Sequence, residues 1–196
     1  MKKYLLCLFA VYAAAITPSG AQSFKTKHLQ EATIASLHDA MQAGKVTAEQ
    51  LVQLYLDRIE AYDKQGPYLN AIIMVNPKAL TEARRLDSLY KATGKLVGPL
   101  HGIPYGLKDL FAVKGYKTTW GSTPYKDQVI GEDSYVYTQL KKAGAVLCAK
   151  LSLGALAYNN KWFGGETKNP WDLVQGSSGS SAGSAASVVA GLLPFT

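Results

Sequence analysis

From Ser184 to Leu193 the chain runs Ser-Ala-Ala-Ser-Val-Val-Ala-Gly-Leu-Leu, small and branched residues without a single charge. A helix built from them has no face for water and belongs inside a domain, with other elements around it. Directly before it, Gly176 to Gly183 reads Gly-Ser-Ser-Gly-Ser-Ser-Ala-Gly. A loop of this kind at a helix start is a cradle for negative charge, since backbone N–H groups and the positive end of the dipole meet there. A nucleotide phosphate loop carries Lys and then Ser or Thr straight after its last glycine, whereas Ser184 and Ala185 follow Gly183. The hydroxyls suit a developing oxyanion or the passage of a proton; the plainer alternative is a capped turn. A central helix so close to Thr196 leads to the expectation that the polypeptide continues past it.

The rest of the chain alternates helices and strands. A helix is predicted over Thr33 to Gln42, ending at Gly44, and a second after the capping-box pattern Thr47-Ala48-Glu49-Gln50, with an apolar stripe at Leu51, Leu54, Ile59 and Tyr62 in which Arg58 sits. Leu69 to Val75 reads as a strand, and Asn76-Pro77 opens a helix from Lys78 to Thr93 that Gly94 closes. Short strands are expected at Ile103 to Leu107 and Phe111 to Val113, with a hairpin-like segment over Tyr116 to Thr119. Glu132-Asp133-Ser134 starts a helix to Ala143, and Ala145 to Ala149 is a buried strand. This order points to an α/β fold, a mixed sheet covered by helices.

Lys2 and Lys3 precede an apolar run, Leu5 to Ile16, and Ser19-Gly20-Ala21 supplies small residues at cleavage spacing. This is the pattern of a secretory signal peptide over residues 1–21, cut before Gln22, and it implies an exported protein. The run is short of the ~20 residues that a spanning helix needs, so no stable membrane insertion is expected after cleavage. The formal charge of +7 falls to +5 once Lys2 and Lys3 are removed. Bases such as Lys78, Arg84, Arg85 and Lys91 sit singly with no basic, aromatic-interleaved stripe, which disfavours a nucleic-acid partner. Cleavage also removes Cys7 and leaves Cys148 alone, without a disulfide partner and inside an apolar strand where a thiol is inert.

Gly98 to Phe111 places Lys108 among Ile103, Leu107, Leu110 and Phe111. Burial lowers a lysine pKa, and a neutral lysine is a competent general base. The alternatives are a salt bridge to Asp109 or a snorkelling side chain.

Together the two stretches resemble the amidase signature family. Its G-P-L-x-G-I-P-x-x-x-K-D segment is matched by Gly98-Pro99-Leu100-His101-Gly102-Ile103-Pro104 through Lys108-Asp109, and its G-G-S-S-G-G-S-A-A-x-V-A-A-G segment, with departures, by Ser178 through Gly191. Ala143-Gly144-Ala145 is similar to the family's A-G-A strand start and Thr167 to Trp171 to its T-x-N-P-W segment. The resemblance covers Leu29 to Thr196.

It implies a Ser–cis-Ser–Lys amidase without cofactor or metal, acting on a small-molecule amide. By position, Lys108 is the lysine and Ser180 the bridging serine on a cis peptide; Ser177-Ser178-Gly179 fits the motif's start as an alternative register, which would put the bridge elsewhere. Ser180 and Ala157, the latter at the end of the Leu153 to Ala157 segment, are the implied substrate contacts. Ala182 stands for a glycine and Ser187 for an alanine, both small enough for close packing. The nucleophile and the oxyanion glycines belong to a downstream G-G-S segment past Thr196, so residues 22–196 are expected to be the first part of the domain, truncated before the nucleophile. Two further readings are the amidase subunit of a tRNA-dependent amidotransferase and a non-catalytic truncated product.

Overall fold

The computed structural model describes Leu29 and residues 32–196; the expected leader, residues 1–21, lies outside the described residues. The fold opens with α1 (Ile34–Gln42) and α2 (Ala48–Tyr62), which start on capping boxes, Thr33 with Ser36 and Thr47 with Gln50. Each box satisfies two N–H groups that a helix start leaves open. β1 (Ile72–Val75), α3 (Ala79–Thr93), β2 (Pro104–Lys108), α4 (Tyr135–Lys142) and β3 (Val146–Leu151) follow. The strands form one mixed sheet in the order β1-β3-β2, β3 running antiparallel to β1 and parallel to β2.

Central β3 is buried along its whole length, which explains its nearly continuous apolar sequence. Val146 and Cys148 join Leu51, Tyr55 and Leu86 in one core beneath α1, α2 and α3. Leu147, Tyr105 and Leu107 join Tyr137 of α4 and Val113 in another. The chain is thus an α/β domain with helices packed on a mixed sheet. Burial pushes the Cys148 thiol up from its ordinary range, in keeping with a packing role.

Carboxylates tie helices to their neighbours. Asp87 of α3 accepts from Ala48 N and Glu49 N at 2.8 and 2.9 Å, a negative charge at the positive end of α2. Asp63, the buried C-cap of α2, accepts from Ala71 N at 2.6 Å and Ile72 N at 3.2 Å, so it joins that helix to the start of β1.

Four short strands follow β3: β4 (Lys161–Trp162) with β5 (Gly165–Glu166), and β6 (Lys168–Asn169) with β7 (Asp172–Gly176), each pair antiparallel. α5 (Ala182–Val189) comes last. Arg58 of α2 reaches its end, Nε donating to Gly191 O at 2.7 Å and Nη2 to Ala190 O at 2.8 Å. A cation there meets the open carbonyls and the negative end of the dipole, which accounts for the arginine in the apolar stripe of α2.

The structure departs from sequence expectation in several places. Phe111 to Val113 is no strand: Phe111 N donates to Lys108 O at 3.0 Å, turning the chain as soon as β2 ends, and Val113 is apolar because it packs in the second core. β1 is shorter than Leu69 to Val75, since Asn70 adopts φ +54° and Asp63 takes the next two N–H groups. α3 starts after Lys78, not on a Pro77 first position, with the Asn76 side chain accepting from Lys78 N and donating to Leu147 O. The hairpin over Tyr116 to Thr119 reduces to a single bridge, Lys117 to Val129. α5 is shorter than Ser184 to Leu193 would make it, and it is not buried all round: Ala182, Gly183, Ala186 and Ser187 are buried while Val188 and Val189 are exposed.

Candidate active site

Lys108 is the last residue of β2 and lies opposite Leu151 of β3. Parallel strands with covering helices present their C-terminal ends to the site-forming loops, and Lys108 is half-buried at such an end. Its Nζ donates to Ser180 Oγ and to Ser181 Oγ, each at 2.9 Å. Burial pulls the ammonium below the ordinary lysine range. The sequence pattern points to Ser180 alone; Ser181, the N-cap residue of α5, stands at the same distance and is missed because a motif register assigns positions and not side-chain reach.

The serine loop is held by backbone bonds from the chain after β3. Gly154 N donates to Ser180 O at 3.1 Å and Gly183 N to Ser152 O at 2.9 Å, while Ser152 N is tied to Ala71 O at 2.8 Å. The Gly179–Ser180 peptide is cis, and Ser178, within the alternative Ser177-Ser178-Gly179 register, has φ +63°. A Cβ on Gly183 would stand 2.3 Å from Ala71 O, which keeps a glycine at this crossing of α5 over the sheet. Of the Leu153 to Ala157 segment, Leu153 and Gly154 are buried, and Ala157 is exposed on a short 3-10 turn with φ +64°.

The salt bridge from Lys108 to Asp109 does not form. Asp109 is buried and pairs with Lys150 of β3, Nζ to Oδ1 at 2.5 Å, and Thr119 donates to Oδ2 from N at 2.7 Å and from Oγ1 at 2.5 Å. Burial lowers the Lys150 pKa and the carboxylate opposes that shift. Among the described residues no group of three or more His, Cys, Asp or Glu side chains is placed to hold a metal, and no helix is long and apolar enough to cross a membrane.

An amine drawn toward its neutral form, with hydroxyls in contact and no carboxylate on it among the described residues, is chemically a place where a proton can pass from oxygen to nitrogen and back. This defines an α/β domain, a helix-covered mixed sheet with a lysine at the end of β2 against serines at the start of α5. The family model for amidases matches residues 50–196, and the chain belongs to the amidase family. It is 40% identical over 162 residues to a glutamyl-tRNA(Gln) amidotransferase subunit from Geobacter sp. (strain M21), covering 81% of this chain and 32% of that protein. A Schizosaccharomyces pombe protein whose name marks it provisionally as an amidase is 39% identical over 176 residues, 85% of this chain and 30% of the relative. The solved native peptide amidase of Stenotrophomonas maltophilia matches with a TM-score of 0.76 at 38% identity, over 83% of this chain and 35% of that one. The chain spans about a third of the length of the relatives it matches.

Proposed function

We propose that residues 22–196 are the first part of an exported amidase that hydrolyses a carboxamide or peptide-type C–N bond through a Ser–cis-Ser–Lys relay and an acyl-serine intermediate. The observation that carries this reading is the 2.9 Å contact of Lys108 Nζ with Ser180 Oγ. The neutral amine takes the proton of Ser180 Oγ while one of its N–H bonds points to Ser181 Oγ. Ser180 in turn takes the proton of a second serine, on the segment that the family pattern places past Thr196, and that oxygen adds to the amide carbonyl. The proton returns by the same path to the leaving nitrogen as the C–N bond breaks, and water then hydrolyses the acyl-serine. Ser180 and Ala157 border the acyl group, and no cofactor or metal takes part.

The identity with a peptide amidase supports a small peptide-type amide as substrate. A second reading, the amidase subunit of an amidotransferase, is favoured by the 40% identity to one such protein; the leader pattern of residues 1–21 speaks against it, since that reaction is cytosolic. On this reading the nucleophile belongs to a segment outside residues 22–196, and those residues by themselves are proposed to be inactive.

The test is Lys108→Ala in the full-length protein. Loss of the base should lower kcat/KM by about 10²–10⁴-fold with the thermal melt kept, and normal turnover of an amide substrate by the Ala variant would overturn the assignment.

A further inference from the structure

Three backbone bonds anchor the serine loop to the rest of the domain. Ser177 N donates to Thr167 O at 2.9 Å, Gly154 N to Ser180 O at 3.1 Å, and Gly183 N to Ser152 O at 2.9 Å. The anchoring groups come from two separate segments, residues 152–154 after β3 and Thr167 before β6. The two segments are joined by a side-chain contact: Ser152 Oγ and Thr167 Oγ1, on residues that are fully buried, lie 2.6 Å apart. Thr167 Oγ1 also donates to Asn70 O at 3.0 Å. A threonine hydroxyl has one hydrogen, and with that hydrogen on Asn70 O, Ser152 is the donor to Thr167. The next carbonyl, Ala71 O, accepts from Ser152 N at 2.8 Å, so the pair closes a ring of hydrogen bonds just before β1. A Cβ on Gly183 would stand 2.6 Å from Ser152 Oγ, which puts the first turn of α5 directly on this pair.

We infer that Ser152 and Thr167 are positioning residues for the amide chemistry: their hydroxyl bond fixes residues 152–154 against Thr167, and through the three backbone anchors it sets where the loop from Ser177 to Gly183 holds Ser180 Oγ relative to Lys108 Nζ. This rests on the reading of Lys108 and Ser180 as the proton relay. The relay depends on a single 2.9 Å contact, and a displacement of about 1 Å caused by a change away from the chemistry can cost 10²-fold in rate. Without the Thr167 hydroxyl, Ser152 O–H and Asn70 O lose their partners inside the protein, and buried groups left so are costly enough to shift the segments that carry them. Without the Ser152 hydroxyl, Thr167 keeps its bond to Asn70 O and only the tie between the two segments is lost.

The experiment is kcat and KM per folded molecule in the full-length protein, well below the melting temperature and alongside thermal melts, for Ser152→Ala, Thr167→Val and Thr167→Ser. Ser152→Ala and Thr167→Val should each lower turnover about 10-fold or more, with the loss in kcat and not in KM, since the relay acts in the transition state. Thr167→Ser, which keeps the oxygen and its hydrogen, should restore most of what Thr167→Val loses. Parent-like kcat in Ser152→Ala and Thr167→Val, with only the melts lowered, would overturn the inference and make the pair structural. A Thr167→Ser variant as slow as Thr167→Val would overturn it as well, because the methyl and not the hydroxyl would then matter. If Thr167→Val does not fold, Ser152→Ala decides, since it removes one hydrogen bond and leaves Thr167 on Asn70. A still-active Lys108→Ala would remove the underlying reading, whereas an inactive Lys108→Ala beside a parent-like Ser152→Ala removes only this inference.

Discussion

Gly179 has room for a hydrogen and nothing larger: a Cβ there would lie 1.8 Å from Asn159 O and 2.4 Å from its carbonyl carbon. Both atoms are backbone, in the turn that Gly154 ties to Ser180, so the clash can be relieved only by moving that turn or Ser180 itself. Gly179→Ala should therefore pull Ser180 out of its contact with Lys108 and lower kcat/KM of the full-length enzyme by about 10²-fold or more; parent-like turnover would mean that this placement is not needed. The shift of Lys108 sets the expected pH behaviour. Its folded pKa is below the unfolded one, so the unfolded chain binds the proton more tightly and stability rises with pH between the two values. Catalysis follows the same titration, with kcat/KM rising through a midpoint below the ~10.4 of a free lysine. At this scale Lys108 and Ser180 were legible as motif positions. The partner of Asp109 was not, because strand register brings Lys150 to it, and no local pattern announces a register.

Among the elements, the legible ones are those whose signals are local. The Thr47–Gln50 box, the Gly94 cap with φ +66° and the Ser134 cap bonded to Tyr137 N sit where the sequence puts them, since a cap is decided by its own few residues. Elements decided by distant partners were misread. Phe111 to Val113 has strand-like composition but is drawn into the core beside Tyr137, while β4, β5 and β6 are two residues long and β7 sets Leu173 and Val174 side by side, which leaves no alternation to detect. Asp63 is a junction of the second kind, a helix cap whose carboxylate serves the following strand. Asp63→Ala would orphan the N–H groups of Ala71 and Ile72 inside the protein, at about 1–3 kcal/mol for each unsatisfied group. A lower midpoint in urea with an unchanged slope is the expected result; an unchanged midpoint would show that the two groups find other partners.

The whole molecule leaves apolar surface where α5 ends. Val188 is 43% and Val189 49% exposed on a helix without a polar stripe, and Trp171 before β7 and Val174 within it are 86% and 90% exposed. Tyr55, Trp171, Val188, Val189 and Leu193 line one open cleft. β2 is an edge of the sheet, met by Phe195, whose carbonyl accepts from Gly106 N at 3.3 Å and whose ring stacks on Tyr105 at 5.5 Å. An apolar helix face in water costs roughly 25 cal/mol for each square ångström, and an incompletely covered sheet edge invites pairing with another chain. The expectation that the run from Ser184 is buried all round failed for Val188 and Val189, and with relatives about three times as long, the covering elements belong, on the reading proposed above, to the part of the enzyme past Thr196. Residues 22–196 expressed alone should accordingly associate or precipitate, bind a hydrophobic dye, and show no amide hydrolysis although Lys108 and Ser180 are in contact. Sedimentation, dye binding and an amidase assay on that fragment check the expectation together. A monomer with a cooperative melt and measurable turnover would contradict it on both counts: the apolar face would then be tolerated in water, and a serine between Ser177 and Ser184 would itself be the nucleophile, with Lys108 acting on it directly.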